Sequence, residues 1–554
     1  MDDARRSAAR ELEHARTALD RGDLAGAADH VAGAIAHAPT LPEIQDLLSL
    51  LAERADGALE LFPLEQHAFV GTVVARAHLL AAAGRPEDGL PLLAAASGHT
   101  PGVDWAGVPW VSEPGLGARM EPGILARVVM QLCTAIGDPA PEGGLAALRP
   151  YLTLVGHAVT AHPEHAMLLG AGSALARRLG EADLAVEWAL RGTRLRPSKL
   201  AEIWLGYAYR SAGRIPESLA ALRRAVMYDP EDLSVYADIA GTLADAGRLD
   251  DALLWIDRAL SLDPGFECAV HTGHRLRYQA DGDLTHLVRL ADFQRDHPDD
   301  SHEHTDLAEC CADQPWLSRV PSAPDAPVDP ARLTAVPLAA GYPLAYTGAG
   351  PEAVARLHRL AHPLWPHPPA AYDAALGLVL VPPAELLALV ADPPPAPDDE
   401  VGRALAAHDP TLWARCARVW ACLGLLHHDT DQSWSESARR RHLVDLATGG
   451  LDTITEAALF ALVTYAWVDP GARSDVAGLM TRRLDDAAAA RLAGLISDAL
   501  AWSIAQLALA TPDVGTEARE RAAALVHELE SVTAPVPRQR TRRAGRLRRW
   551  FSGR

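Results

Sequence analysis

Prolines recur at a fixed interval in the middle of this chain. Pro230, Pro264 and Pro298 are spaced 34 residues apart, and Pro197 precedes the first of them by 33. Proline lacks a backbone N–H and cannot continue a helix, so each proline marks the end of a helical stretch. A fixed period in this range indicates a repeat architecture, in which each unit buries its apolar face only by stacking on its neighbours.

The same order of residue types precedes each proline. A small residue and a larger one share a first helix, a glycine breaks it, and small residues line a second helix. Before Pro230 these positions are Gly206, Tyr209, Gly213, Ser218 and Ala225. Before Pro264 they are Ala240, Leu243, Gly247, Ala252 and Ala259. Period and residue types therefore agree, which makes the repeat pattern specific.

This pattern resembles the tetratricopeptide repeat (TPR), and the match is good over residues 166–264. The unit that ends at Pro298 keeps the period but places His274 and Arg277 in the small and aromatic positions. Two further units are predicted near the N-terminus, where Gly22 and Gly84 occupy the turn. Over its whole length the chain also resembles cytoplasmic repeat proteins of high-GC bacteria.

The resemblance implies a predominantly all-α fold, an α-solenoid of TPR helix hairpins. In such folds the first helices line a concave surface that binds other proteins. The function predicted from it is a protein–protein interaction scaffold or adaptor. We also keep open an enzyme or metal-binding protein with a site in 320–530, and a membrane or nucleic-acid factor acting through the C-terminal tail.

The family pattern places basic and aromatic side chains on the predicted binding face. These side chains are Arg177, Arg178, Tyr207, Arg210, His271, Arg275 and Tyr278. Arginine can bind a carboxylate through two hydrogen bonds, which predicts an acidic peptide or a free C-terminus as the ligand. Alternatively, these arginines are solvated or paired with neighbouring acids. Gly170 and Ala174 occupy the Lys and Asn positions of the family's carboxylate clamp, so a chaperone-tail adaptor is not expected.

Composition divides the chain into six predicted segments. These are N-terminal TPR-like helices (1–101), a divergent helical segment (102–165), the TPR solenoid (166–314), a proline-rich irregular segment with room for a small sheet (315–408), a C-terminal helical domain (409–533) and a basic disordered tail (534–554). In the fourth segment, Pro351–His362 predicts a helix and Leu376–Val381 a buried strand or apolar run. In the fifth, helices are predicted over 470–483 and 487–510, and Thr455–Asp485 weakly resembles a HEAT-type pair.

Charge argues against nucleic-acid binding by the main body. The net charge is −21, and leaving out residues 534–554, which hold eight arginines and no acid, lowers it to −29. Such a surface repels phosphate backbones, although the basic tail could contact an anionic membrane or nucleic acid. The sequence shows neither a secretory signal nor an apolar stretch long enough to span a bilayer, and no CxxC pair occurs. We therefore predict a cytoplasmic protein.

Neither a catalytic motif nor a metal-binding motif is recognisable. The histidine-containing clusters that we considered are His427, His428, Asp429 and Asp431; His302, His304, Cys310 and Cys311; and His271 with His274. None has the spacing of a known zinc motif. The sequence therefore predicts no catalytic residues, no cofactor and no metal.

Overall fold

Every regular element that the structure describes is a helix. The computed structural model describes residues 2–64, 68–298, 301–312, 314, 348–360, 367–400, 402–403 and 411–533. This confirms the predicted all-α fold class. The predicted basic tail (534–554) and residues 315–347 of the proline-rich segment lie outside the described residues. The chain divides into two compact units, Met1–Ala269 and Val270–Arg554.

Unit 1 contains fifteen complete helices within its described residues. They are α1 (Asp2–Asp20), α2 (Leu24–His37), α3 (Pro42–Arg54), α4 (Val70–Ala82), α5 (Pro86–His99), α6 (Pro109–Ser112), α7 (Pro114–Arg119), α8 (Pro122–Ala135), α9 (Leu145–Ala161), α10 (Ala166–Arg178), α11 (Ala182–Leu195), α12 (Lys199–Ser211), α13 (Ile215–Tyr228), α14 (Leu233–Asp245) and α15 (Leu249–Leu262). The next helix, α16 (Glu267–Asp281), spans the boundary between the units.

The repeat is visible in helix lengths and turns. The second helices α2, α5, α11, α13 and α15 all have 14 residues, and the first helices α4, α10, α12 and α14 all have 13. The turn glycines Gly22, Gly84, Gly180, Gly213 and Gly247 have φ between 71° and 78°. This left-handed conformation strains any residue with a Cβ, which explains why glycine recurs at the turn.

Close contact between the two helices of a hairpin requires small residues where they meet. A Cβ on Gly206 of α12 would lie 2.8 Å from Leu222 of α13. The Ser218 hydroxyl also donates to the Gly206 carbonyl at 2.7 Å. Leu222 is fully buried there, which contributes about 1.5–3 kcal/mol of hydrophobic stabilisation. Helix α12 then packs against α11 as well as α13, so the apolar core continues from one hairpin to the next.

Residues 102–165 depart from the hairpin pattern, because short helices and loops interrupt the alternation of 13- and 14-residue helices. Trp105 is buried, and the Trp110 indole N–H donates to Nδ1 of His78 in α4 at 3.0 Å. Burial lowers the pKa of His78 to about 4, so the ring is neutral and can accept this bond. These contacts join the irregular segment to the preceding hairpin.

Unit 2 contains eleven further helices within its described residues. They are α17 (Leu284–Asp296), α18 (Ser301–Cys311), α19 (Pro351–Leu360), α20 (Pro368–Ala374), α21 (Pro383–Ala391), α22 (Leu412–Leu425), α23 (Ala438–Thr448), α24 (Thr453–Val468), α25 (Arg473–Leu492), α26 (Asp498–Ala510) and α27 (Thr516–Thr533).

Helix α24 forms the centre of unit 2. All its side chains from Thr453 to Trp467 are buried, and it packs against α17, α20, α22, α23, α25 and α26. Two charged groups are enclosed with it, because Arg415 of α22 donates twice to the Glu456 carboxylate and both side chains are at most 5% exposed. The Ser503 hydroxyl of α26 donates to the same carboxylate.

Two features of unit 2 differ from the prediction, the end of one helix and the conformation of one short apolar run. The predicted break between residues 483 and 487 is wrong, because α25 continues to Leu492 through a run of alanines, which are strong helix formers. The helix ends instead before Gly494, which has φ 69°. Residues 375–378 form a short 3₁₀ helix, so of the two alternatives for Leu376–Val381 the strand is wrong. The helix predicted from Pro351 is present and is described as far as Leu360.

Within the ranges described, no individual helix has both the length and the apolar composition needed to cross a bilayer. The bent pair formed by residues 368–378 and 383–391 meets these criteria only when its two parts are taken together.

Candidate functional site

Three successive first helices of unit 1 each contribute a polar side chain to one connected group. The guanidinium carbon of Arg177, at the end of α10, lies 5.0 Å from the centroid of the Tyr207 ring in α12. The Tyr207 hydroxyl is hydrogen-bonded to the Asp238 carboxylate of α14. We call Arg177, Tyr207, Asp238, Arg210 and Asp245 the polar ladder. Its members connect three hairpins through side chains alone.

Burial dominates the electrostatics at one end of the polar ladder. Arg177 is only 13% exposed, and burial, followed by the adjacent Arg178, lowers its pKa to about 10. A pKa of about 10 still leaves Arg177 charged at neutral pH, and Asp138, in the loop after α8, forms an ion pair with it. Arg178 is 3.8 Å from the same carboxylate and also donates to the Ala174 carbonyl. Both arginines are therefore engaged within the protein.

Arg210 is the more accessible arginine of the polar ladder. Its Nε donates to Asp245 of α14 at 2.7 Å, and its side chain is 34% exposed. The guanidinium lies over Gly241, where an added Cβ would be 3.7 Å from it. The family pattern also assigns Gly241 and Asp245 to the binding face, and both lie on α14, the first helix that follows α12 in the repeat.

Asp238 is the member of the polar ladder that the sequence analysis missed. Burial raises its pKa to about 6, against the effects of the Tyr207 hydrogen bond and of the nearby Arg210, both of which lower it. The family pattern assigns its neighbour Ala237 to the binding face instead. The sequence does contain a signal for Asp238, which is an acid within the apolar stretch 235–243. An acid buried in such a stretch needs hydrogen-bond or charged partners.

An apolar cleft lies beside the N-terminal ends of α10 and α12. Its volume is about 220 Å³, and its lining includes Met167, Gly170, Leu200, Trp204 and Arg196. A Cβ on Gly170 would lie 1.9 Å from the Trp204 ring, so glycine is needed for the ring to take this position. Met167 and Leu200 are each 40% exposed. Apolar surface is thus available near one end of α12 and a guanidinium near the other.

The remaining predicted binding residues belong to unit 2, and two of them, His271 and Arg275, meet at one acid. His271 Nδ1 and Arg275 Nε, both in α16, lie 3.2 Å and 3.3 Å from Oδ2 of Asp306 in α18. The Tyr278 hydroxyl accepts a hydrogen bond from Gln314. As in unit 1, the predicted arginine is paired with a carboxylate from another segment. Binding of a peptide by any of these residues stays a prediction.

Among the histidines considered as metal ligands, His427 has a structural role. Its ring stacks on Tyr372 with centroids 4.2 Å apart, and Nε2 donates to the Tyr372 carbonyl at 2.7 Å. Burial lowers the pKa of His274 to about 4 and raises that of Cys310 to about 11. Neutral, desolvated side chains of this kind are typical of packing positions. The side chains of His302 and His304 lie outside the described residues.

The profile of a known family matches part of the repeat hairpins of unit 1. The profile of the Tetratricopeptide repeat family matches residues 209–270, from the end of α12 to the start of α16. The chain carries tetratricopeptide repeats. The match confirms the resemblance inferred from the proline period, because it covers the unit whose small positions were assigned from the sequence.

Several solved structures overlap with this chain at low similarity. A TPR protein from Parabacteroides merdae has 13% identity and a TM-score of 0.30, covering 56% of this chain and 100% of its own. MamA from Desulfovibrio magneticus has 16% identity and a TM-score of 0.24, covering 36% and 96%. The type IV pilus biogenesis factor PilW has 15% identity and a TM-score of 0.27, covering 44% and 99%. No curated protein matches the chain in sequence.

Proposed function

We propose that this TPR protein is an interaction scaffold that binds an extended, acidic segment of a partner protein along α12. The observation that supports this most is the polar ladder, because it presents the half-exposed Arg210 and Tyr207 together on α12. Arginine and tyrosine are enriched among the residues that dominate binding energies. Binding, not catalysis, is the activity that this arrangement favours.

A partner carboxylate can replace Asp245 at Arg210 at small cost. The pair is exposed on both sides, with side chains 34% and 53% accessible, and such pairs contribute about 0–1 kcal/mol. A carboxylate held by a bound peptide also excludes water from the guanidinium, which strengthens the new pair. Arg177 is already buried against Asp138, so we assign it the role of positioning Tyr207.

The apolar cleft supplies a second contact point at a defined separation. Leu200 and Arg210 are ten residues apart on α12, which corresponds to about 15 Å along a helix axis. An extended peptide advances about 3.3 Å per residue, so this distance spans about four to five residues. We therefore propose that the partner segment carries an apolar side chain for the cleft and an acid four or five positions away.

Fluorescence polarisation with labelled peptides tests this proposal. The peptides carry one leucine and one glutamate at spacings from two to eight residues, in an otherwise neutral polar sequence. We expect tightest binding at a spacing of four or five, weakening with salt and lost in Arg210→Glu. Arg223→Glu is the matched control, because Arg223 is an exposed arginine on the second helix α13. Absence of binding across the series, or equal binding to Arg210→Glu, refutes this site.

A further inference from the structure

The first hairpin of unit 1 brings three metal-ligating side chains together outside the polar ladder. Glu11 and His14 are three residues apart in α1, a spacing that places side chains on the same side of a helix. His30 faces them from α2. Among the described residues, these three offer ligand atoms that all lie within 4.8 Å of one another.

The cluster is held by a firmly packed pair of helices. Leu12 and Ala15 of α1 and Val31 of α2 are buried directly beside the three side chains. Because this core fixes the helix backbones, the Cα positions from which the three side chains extend are set by the fold. The side chains of Glu11 and His30 are 31% and 39% exposed, so an ion in solution can reach them.

A glycine leaves the space that the carboxylate occupies. Gly33 lies one turn after His30, and a Cβ there would be 3.2 Å from Oε2 and 3.3 Å from Cδ of Glu11. A larger residue at this position would require the carboxylate to shift by a few tenths of an ångström. With glycine there, Glu11 Oε2 lies 2.7 Å from His30 Nδ1.

We infer that Glu11, His14 and His30 form a binding site for a divalent metal ion of the zinc class. Two imidazoles and one carboxylate are a donor set that suits Zn²⁺ and its neighbours in the first transition row, whereas Mg²⁺ and Ca²⁺ prefer oxygen alone. Three protein ligands leave at least one coordination position for water.

Occupation requires only local adjustment. Ligands about 2.1 Å from a tetrahedral Zn²⁺ are about 3.4 Å apart, so the Glu11–His30 contact of 2.7 Å has to widen, while all separations already lie within 4.8 Å. The ion takes the place of the proton between His30 Nδ1 and the carboxylate. If Nδ1 is the ligand atom, the neutral ring carries its proton on Nε2 instead. The bound ion then ties α1 to α2 at the first hairpin.

His14 distinguishes a metal site from a simple ion pair. The His30 ring and the Glu11 carboxylate already form a hydrogen bond, and His14 contacts the pair through its ring, with centroids of the two histidines 5.1 Å apart. Truncating His14 leaves the Glu11–His30 bond in place but removes one metal ligand. A zinc site therefore depends on His14, whereas an ion pair does not.

The test is a titration of the metal-free full-length chain with ZnCl₂ by isothermal calorimetry, comparing the parent protein with His14→Ala and His30→Ala. We expect one saturable site in the parent and a weakening of at least about tenfold when either ligand is removed. His37→Ala and Glu13→Gln are matched controls, because both residues lie on the same two helices outside the cluster. They should bind like the parent.

Spectroscopy with Co²⁺ provides an independent measurement. We expect the visible absorption of a nitrogen- and oxygen-coordinated ion in the parent and its loss in His14→Ala, with far-UV circular dichroism unchanged. Equal zinc stoichiometry and affinity in the parent and in His14→Ala overturns the site, as does a parent chain that binds no zinc.

Discussion

Replacing Asp238 by asparagine removes an acid whose ionisation the fold opposes. Burial raises the pKa of this carboxyl from 3.8 to about 6. Because the pKa in the folded state lies above its unfolded value, protonation of Asp238 stabilises the folded state. This stabilisation is fully present below about pH 3.8 and is lost as the pH rises through about 6. The substituted amide stays neutral throughout and can still accept the hydrogen bond from Tyr207.

The magnitude follows from the same two pKa values. At about 1.4 kcal/mol for each tenfold change in proton affinity, Asp238→Asn should stabilise the protein by about 3 kcal/mol at pH 7–8. The gain should fall to about 0.5 kcal/mol at pH 4, where the unfolded carboxyl also holds much of its proton. Arg177, Arg210 and Asp232 are the charged groups that act on this carboxyl, and their effects are contained in the value of about 6.

Urea unfolding followed by far-UV circular dichroism between pH 4 and pH 8 measures this difference. Asp250→Asn is the control, because that aspartate lies on the neighbouring helix of the same repeat and its removal changes the net charge equally. A gain that is the same at every pH, or a variant less stable than the parent at pH 8, would refute the assignment of Asp238 as a buried acid opposed by the fold.

Three substitutions test side-chain packing, two within unit 1 and one within unit 2. Gly170→Ala should lower the free energy of unfolding by about 1–3 kcal/mol, because the new methyl group displaces the Trp204 ring. Gly156→Ala, whose methyl group meets no atom within 4 Å, should instead raise it by about 0.5–1 kcal/mol by stabilising α9. Differential scanning calorimetry shows whether the two changes have these opposite signs. Glu456→Ala should destabilise unit 2 by about 3–5 kcal/mol in urea, because Arg415 is left charged and buried; a loss below about 1 kcal/mol would mean that water reaches this pair.

The repeat could be predicted from the sequence because its determinants are local. A glycine with positive φ, a proline after the second helix and small residues at the crossing each act within one hairpin. The same local logic placed Arg210, Gly241 and Asp245 on successive first helices. Helix α25 ends before Gly494 and not between residues 483 and 487, where the sequence analysis predicts a break. The repeat period does not indicate which of these two positions ends the helix.

The pairing of side chains could not be predicted in the same way. Asp138 reaches Arg177 from the loop after α8, and Asp306 reaches Arg275 from a separate helix. Such pairs depend on which distant segments pack together, and the spacing of residues along the sequence does not determine this. The same holds for His30, which faces Glu11 only because α2 folds back on α1. A cytoplasmic location and the six predicted segments stay predictions from the sequence.

The buried position of α24 limits which helices of this protein can be gained or lost during evolution. In unit 1 each hairpin touches its neighbours, so one of them can be gained or lost while the others keep their surroundings. In unit 2, six described helices from across the sequence pack around α24, and deletion of any of them would expose it to water. Length variation among descendants of this gene should therefore concentrate before residue 270, while the later half keeps its number of helices.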